Sequence, residues 1–140
     1  MLTTLAIIAL SATLPVTQAE TPNNEPPAAS AINAEKEEAA RDWLALTDAG
    51  DWQASYQVTG SAFQKLNTAQ IWESVSLDAR APLGAVLHRE AIGFQQFAAP
   101  PVGYWQVRFR TDFAERRGVI ESVTLEREDG ELRAVGYIIE

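Results

Sequence analysis

The stretch YWQVRFRTDFAERRGVIESVTLEREDGELRAVGYII, residues 104–139, decides the fold class because most of it alternates between apolar and polar side chains. One phase of residues 104–114 consists of Trp105, Val107, Phe109, Thr111 and Phe113. The other phase consists of Gln106, Arg108, Arg110 and Asp112. A period of two is that of a β-strand with one covered face and one face in water. We therefore predict a strand over residues 104–114 with its aromatic side directed at a core.

Three more segments extend this strand to a sheet. Residues 119–128 alternate in the same way, and one side carries Val119, Glu121, Val123 and Leu125. Asp129-Gly130 is a strong signal for a tight hairpin, and the apolar segment 132–139 follows it. Residues 85–94 form a candidate first strand. The sequence thus predicts an antiparallel meander of four strands.

Before residue 85 the spacing of the apolar residues is helical. Helices are predicted over residues 34–49, 52–59 and 69–79, each after a residue that can cap it. The third helix presents an apolar side made of Ile71, Trp72, Val75 and Ala79. Helices first and strands second favour an α+β fold, with three N-terminal helices packed on a curved four-stranded antiparallel sheet. Helices packed on a curved sheet make a cone, and a cone of this kind can hold a pocket at its open end.

Residues 1–33 differ in character from the rest of the chain. Residues 1–19 carry no charge, and the apolar run 5–14 has the length of the hydrophobic region of a secretory signal. We predict cleavage after Ala19 and a periplasmic or secreted protein with no stable membrane anchor after cleavage. Since no lysine or arginine precedes the run, a short N-terminal anchor is the alternative. Residues 20–33 are predicted as a disordered Pro/Asn-rich linker, and residues 34–140 as one domain.

Composition restricts the available chemistry. The 140 residues include no cysteine and one histidine, which excludes disulfides, thiol catalysis and cysteine metal sites. His88 and Glu90 share one face of a predicted strand, but no third ligand stands near them, so we predict no metal and no cofactor. A net charge of −8 disfavours nucleic acid. The basic pair Arg108 and Arg110 predicts a solvated sheet face or, as an alternative, a site for a small anionic ligand or an acidic protein.

Several short strings stand in a specific order along the chain: Ala39-Ala40, 43–51, Ser55-Tyr56, Phe63, Trp72, 80–84, Arg89, Gly103-Tyr104, Phe109, 111–114, 121–124, Asp129-Gly130 and Gly136-Tyr137. From Ala39 to the C-terminus this pattern resembles the bacterial exported family known as domain of unknown function 4019. The resemblance implies a cystatin-like or nuclear-transport-factor-like cone. It implies no known activity, substrate or catalytic residue. The sequence departs from the family at Leu132, where an aromatic residue is usual.

Glu121 is a carboxylate in the apolar phase of its strand, so it is expected on the helix-covered face. A buried carboxylate has to be paired, hydrogen-bonded or protonated. One hypothesis makes Glu121 a pocket acid or ligand anchor. The other, which the pattern favours, makes it an internal salt bridge with Arg80 or Arg89.

Trp72 and Tyr137 complete the candidate site residues. Trp72 is read as a core aromatic that could line a cavity. Tyr137 lies in the last predicted strand, where its hydroxyl could stand at the mouth or floor of the cone.

Three functional hypotheses follow from these residues. The favoured one is a non-catalytic exported module that binds a small ligand or a protein partner. The alternative is a small isomerase or hydratase, with Glu121 or Asp112 as the base and Tyr137 donating a hydrogen bond to an oxyanion. The third is a homodimer through the sheet face, with Trp105 between the copies. A Glu121 carboxylate exposed in an open cavity would support the enzyme, and one sealed by arginines would contradict it.

Overall fold

A computed structural model of the chain describes residues 27–98 and 103–140. The predicted signal peptide, residues 1–19, and residues 20–26 of the predicted linker lie outside the described residues. None of the described helices is long and apolar enough to cross a membrane.

Four α-helices precede the strands in the described part of the chain, where three were predicted. They are α1 (Pro27–Asp48), α2 (Trp52–Gln57), α3 (Ser61–Leu66) and α4 (Ala69–Arg80), and a 3₁₀ turn, Ala81–Leu83, follows. α1 begins at Pro27 and not at Ala34. Proline suits the first turn of a helix, and the alanines after it are good helix formers.

The additional helix, α3, depends on contacts that are distant in sequence. The Ser61 N–H at its start donates to the Glu128 carboxylate at 2.8 Å. The Gly60 N–H donates to the Ala134 carbonyl at 2.9 Å, which attaches the helix start to the last strand. A Cβ on Gly60 would lie 2.7 Å from Val135 Cγ1, so a larger residue here would force the Val135 side chain or the backbone to shift. A six-residue helix of this kind has too little local signal to be predicted.

The rotation of α4 differs from the prediction. The helix buries Trp72, Ser76 and Arg80, whereas Ile71 and Val75 are 51% and 58% exposed. The buried residues are four positions apart, as expected for one face of a helix. However, Ser76 and Arg80 are buried, whereas the apolar pattern predicted burial of Ile71 and Val75. The partners of Arg80, described below, account for this rotation.

The four strands match the predicted meander. They are β1 (Val86–Phe97), β2 (Tyr104–Phe113), β3 (Val119–Glu128) and β4 (Glu131–Ile139), antiparallel and in the order β1-β2-β3-β4. The hairpin residues Asp129 and Gly130 both have positive φ, 51° and 82°. These angles are those of the tight turn that an Asp-Gly pair predicts.

One face of the sheet packs against α1 and α4. Its core cluster joins Val107, Phe109, Val123, Leu125 and Ala134 of the sheet to Ala40, Trp43, Leu44 and Trp72 of the helices. Glu121 lies on this face and is fully buried, as the alternation predicts. Arg108 and Arg110 are exposed on the opposite face. Trp105 is paired with Leu125 on the helix side, beneath the Lys36 ammonium at 4.6 Å, and so does not extend the outer face.

Candidate functional site

The interior of the fold contains a network of four charged side chains, Asp48, Arg80, Arg89 and Glu121, which we call the buried ion network. Strand register places Glu121 opposite Phe109, and Arg89 opposite Thr111, so both long side chains point to the helix-covered face. Arg80 enters from the last turn of α4, and Asp48 from the last turn of α1. Four elements thus supply one charge each.

The first Glu121 oxygen, Oε1, has two donors. The Tyr137 hydroxyl donates to it at 2.6 Å, and Arg80 Nη1 donates to it at 3.3 Å. The same Arg80 nitrogen also lies 3.1 Å from Thr47 Oγ1 and 3.2 Å from the Tyr137 hydroxyl. This oxygen is therefore joined directly to β4 and α4, and through Arg80 to Thr47 of α1.

The second oxygen, Oε2, is held by β1 and β2. Arg89 approaches it with Nε at 2.8 Å and Nη2 at 2.7 Å. The Thr111 hydroxyl donates to the same oxygen. Because both oxygens have at least two donors, the carboxylate has satisfied its main hydrogen-bonding sites within the protein.

Asp48 joins the two arginines on the side nearer to solvent. Its Oδ1 accepts from Arg80 Nη2 at 2.5 Å and from Arg89 Nη2 at 3.0 Å. Its Oδ2 accepts from Arg89 Nη1 at 2.7 Å. The Asp48 side chain is 25% exposed, whereas each arginine side chain is 8% exposed. Two guanidiniums and two carboxylates balance, so the network carries no net charge.

The network and its burial shift the pKa of the adjoining Tyr137 and of two network members, Asp48 and Arg89. Burial and then the Glu121 charge raise the pKa of the Tyr137 hydroxyl well above its ordinary value, so it remains a proton donor. Burial opposes ionisation of Asp48, but hydrogen bonds and charge from Arg89 and Arg80 lower its pKa below the ordinary value. Burial likewise opposes the charge on Arg89, but Asp48 and Glu121 raise its pKa.

Trp72 belongs to the wall beside the network. Its ring lies 6.1 Å from that of Tyr137, edge to face, and 5.5 Å from that of Trp43. Its indole N–H donates to the Ser55 hydroxyl at 2.9 Å. Trp72 therefore packs against the tyrosine that holds Glu121, with its polar atom satisfied inside the core.

The structure brings Glu121, Arg80, Arg89 and Tyr137 together, and it supports the salt-bridge hypothesis over the pocket-acid hypothesis. Both predicted arginines contact the carboxylate. The Tyr137 hydroxyl is committed to Glu121. This geometry offers no free Glu121 oxygen to take a proton from a substrate.

Asp112, the other proposed base, lies away from Tyr137. Its neighbours Thr111 and Phe113 point into the core, so Asp112 points to the opposite face of β2. There its carboxylate accepts from the Gly118 N–H at 2.8 Å and pairs with Arg117 at 3.4 Å. The proposed base and oxyanion donor do not share a site.

Sequence reasoning missed the network residue Asp48 and the two threonines that contact the network, Thr111 and Thr47. Asp48 had a detectable signal, because a carboxylate in the last turn of a helix is disfavoured by the helix dipole unless a cation compensates. Thr111 had another, since it is a polar residue in the buried phase of β2. Neither signal identifies the partner, which comes from a different element.

An open cavity lies between α1 and β4, apart from the network. Its volume is ≈ 370 Å³, and Ala39, Asp42, Trp43, Leu46, Val58, Glu131, Leu132, Arg133 and Ala134 line it. A second depression of ≈ 290 Å³ shares Ala39, Asp42, Glu131 and Leu132 and extends to Glu35, Glu38, Arg127 and Gly130. We call the two together the α1–β4 groove. None of the five site residues predicted from sequence lines it.

His88 and Glu90 lie on the exposed face of β1. His88 is opposite Asp112 and Glu90 is opposite Arg110. Across residues 27–98 and 103–140, no group of three or more His, Asp or Glu side chains is arranged to hold a metal ion.

Comparison with protein families gives a match over most of the chain. A family model described as a protein of unknown function, DUF4019, matches residues 39–137, which is more than half of the chain. Curated proteins give no match to the sequence. The match begins at residue 39 within α1, includes α2 to α4 and β1 to β3, and ends at residue 137 within β4.

Replacing Glu121 by glutamine should destabilise the fold severely. The change removes the fully buried charge of Glu121 and leaves two buried guanidiniums with the partly exposed Asp48 alone. Loss of one member of a buried ion pair costs about 3 to 5 kcal/mol. Urea unfolding measures this, with exposed Glu73→Gln on α4 as the matched control, expected within about 0.5 kcal/mol of wild type. A cost for Glu121→Gln below about 1 kcal/mol would contradict a structural role for the network.

The stabilising effect of Asp48 should depend on pH. Its pKa is lowered in the folded protein, so its contribution is present above the ordinary value of 3.8 and is lost as the pH falls below it. The free energy of unfolding of wild type should therefore exceed that of Asp48→Asn at neutral pH, and the difference should shrink in acid. Urea unfolding of both proteins across this range measures the difference. A constant difference would show that ionisation of Asp48 is not the cause.

Proposed function

This chain belongs to the DUF4019 family, and we propose that it is a non-catalytic binding module whose partner occupies the α1–β4 groove. The observation that carries the proposal is the separation between the two features of the fold. In the buried ion network the Glu121 carboxylate is sealed, although Asp48 and Arg80 border a depression of ≈ 190 Å³, whereas the larger groove is open and contains no network residue.

The pairing within the network supports a structural role for its residues. Its arginines are neutralised, the Glu121 oxygens are occupied, and the adjoining Tyr137 hydroxyl is kept protonated. A base or an oxyanion donor needs a free lone pair or a free proton facing the substrate. The described candidate residues offer neither at this place.

The groove supports a binding role. A volume of ≈ 370 Å³ lies within the range of ligand pockets in proteins. Its lining combines apolar side chains, among them Trp43, Leu46 and Leu132, with carboxylates at the rim. Apolar area provides affinity and the few charged groups orient the partner. The regular elements α1 and β4 provide the walls, which suits a site that is largely formed before binding.

The proposal includes the surroundings in which the module works. We place it in the periplasm or outside the cell, because residues 1–19 have the pattern of a cleaved signal. We also propose that helices over an open antiparallel sheet form a cystatin-like cone. The packing of α1 and α4 on one face of four meandering strands supports this shape.

Blocking the groove should abolish partner binding. Val58 lines the groove and is 43% exposed, so Val58→Trp should fill the space without disturbing the core. The matched control is Glu73→Trp, which adds the same side chain to an exposed position of α4. Native mass spectrometry of each protein, extracted from its own cell envelope, should show a retained ligand or partner on wild type and the control only. Wild type that carries nothing, or retention by Val58→Trp, would refute the proposal.

Export makes a separate prediction about the mature chain. Fractionation of cells that produce the full sequence should place the protein in the periplasm or the medium. Its N-terminus there should be Glu20, since cleavage is expected after Ala19. N-terminal sequencing measures this. A chain that still begins at Met1 and stays in the membrane fraction would favour the short anchor instead.

A further inference from the structure

We infer that the α1–β4 groove takes an extended segment of a partner protein that carries two basic side chains at alternate positions. The inference rests on the proposed function, because it names the occupant of the same groove. Its basis is the combination of an apolar floor, unpaired carboxylates along one wall and the length of the groove.

The carboxylates of the groove divide into two kinds. Glu35 is paired with Arg127 at 2.7 Å, and Glu131 with Arg133 at 3.0 Å. Glu38 and Asp42 have no ion pair or hydrogen bond with any side chain that the structure describes, and both are exposed. They lie one helical turn apart, where like charges destabilise a helix slightly. The wall therefore carries two negative charges that the chain itself does not neutralise.

The spacing of these two charges selects the form of the occupant. Side chains four apart on a helix are about 6 Å from each other. Alternate side chains of an extended segment are about 6.7 Å apart and point the same way. A basic residue, any residue and a second basic residue would thus place two cations against Glu38 and Asp42.

The floor and the length of the groove fit the same occupant. Ala39 and Leu132 are shared by both depressions, and Trp43 continues the apolar floor beneath the larger one. The α1 wall runs from Glu35 to Leu46, a rise of about 16 Å at 1.5 Å per residue. That length holds about five residues of an extended chain. The aliphatic stems of lysine or arginine can lie on the apolar floor while their charges reach the wall.

The test uses the full protein and the synthetic peptide acetyl-Lys-Leu-Lys-Leu-Lys-amide as a probe. Binding is followed by ¹H–¹⁵N NMR, which reports both affinity and location. The expected shifts are centred on Ala39, Asp42 and Leu132. The double variant Glu38→Gln/Asp42→Asn should bind about tenfold more weakly, because two exposed ion pairs are lost. Higher ionic strength should weaken wild-type binding further.

A matched double variant separates the groove from net charge. Glu73→Gln/Asp78→Asn removes the same charge from exposed positions of α4 and should bind as wild type does. The peptide acetyl-Glu-Leu-Glu-Leu-Glu-amide should not bind. Equal weakening by both double variants, equal binding of the acidic peptide, or shifts outside the groove would each overturn the inference.

Light scattering, which measures the molar mass in solution, tests whether a second copy of the chain occupies the groove. A monomer is expected at all concentrations, and self-association that Glu38→Gln/Asp42→Asn abolishes would also overturn the inference. The outcomes separate the two proposals. A native partner that Val58→Trp loses, together with no binding of the lysine peptide, leaves the proposed function and removes this occupant. If wild type retains no native partner and the lysine peptide does not bind, the groove is not a binding site.

Discussion

The buried charge of Glu121 is the constraint on which the rest of the structure depends. A fully buried carboxylate is tolerated only when charges and donors surround it, and no single element of the fold can provide them all. Arg89 comes from β1, Thr111 from β2, Tyr137 from β4 and Arg80 from α4. Asp48 of α1 then neutralises the two arginines. One side chain therefore ties the sheet to both long helices, and any large shift of one element would leave a charge without its partner.

This constraint also explains the local features that break simple patterns. α4 turns Arg80 inward and leaves Ile71 and Val75 partly in water, because the guanidinium has to reach Glu121, Asp48 and Thr47. α1 ends on an aspartate, against the preference of a helix C-terminus, because two guanidiniums are held beside it. Hydrophobic burial alone does not explain a buried arginine on α4 or an aspartate at the C-terminus of α1. Charge therefore specifies the interior as well as packing, and the charged groups of the network bind one another within the fold.

Because the Glu121 carboxylate is sealed, the partner site that we propose is the open groove between α1 and β4. The two faces of α1 differ in exposure. Trp43, Leu44 and Thr47 are buried on one face. Glu38 and Asp42 are exposed beside the groove. The network helps to hold α1 against the sheet, together with the packing of Trp43 and Leu44, and so supports one wall of the groove. A rigid frame of this kind lowers the cost of ordering a site when a partner binds.

Strand positions, the Asp-Gly turn, the α+β order and the burial of Glu121 could all be read from the sequence. Each is a local property, set by a period of two, by turn chemistry or by the phase of one residue within its strand. The sequence also identified both arginines as partners of Glu121, but it could not decide between them. Only the tertiary structure decided that both bind, that Asp48 joins them, that α4 is rotated and that the open groove lies elsewhere. These depend on distances between elements far apart in the chain, and no local pattern encodes such distances.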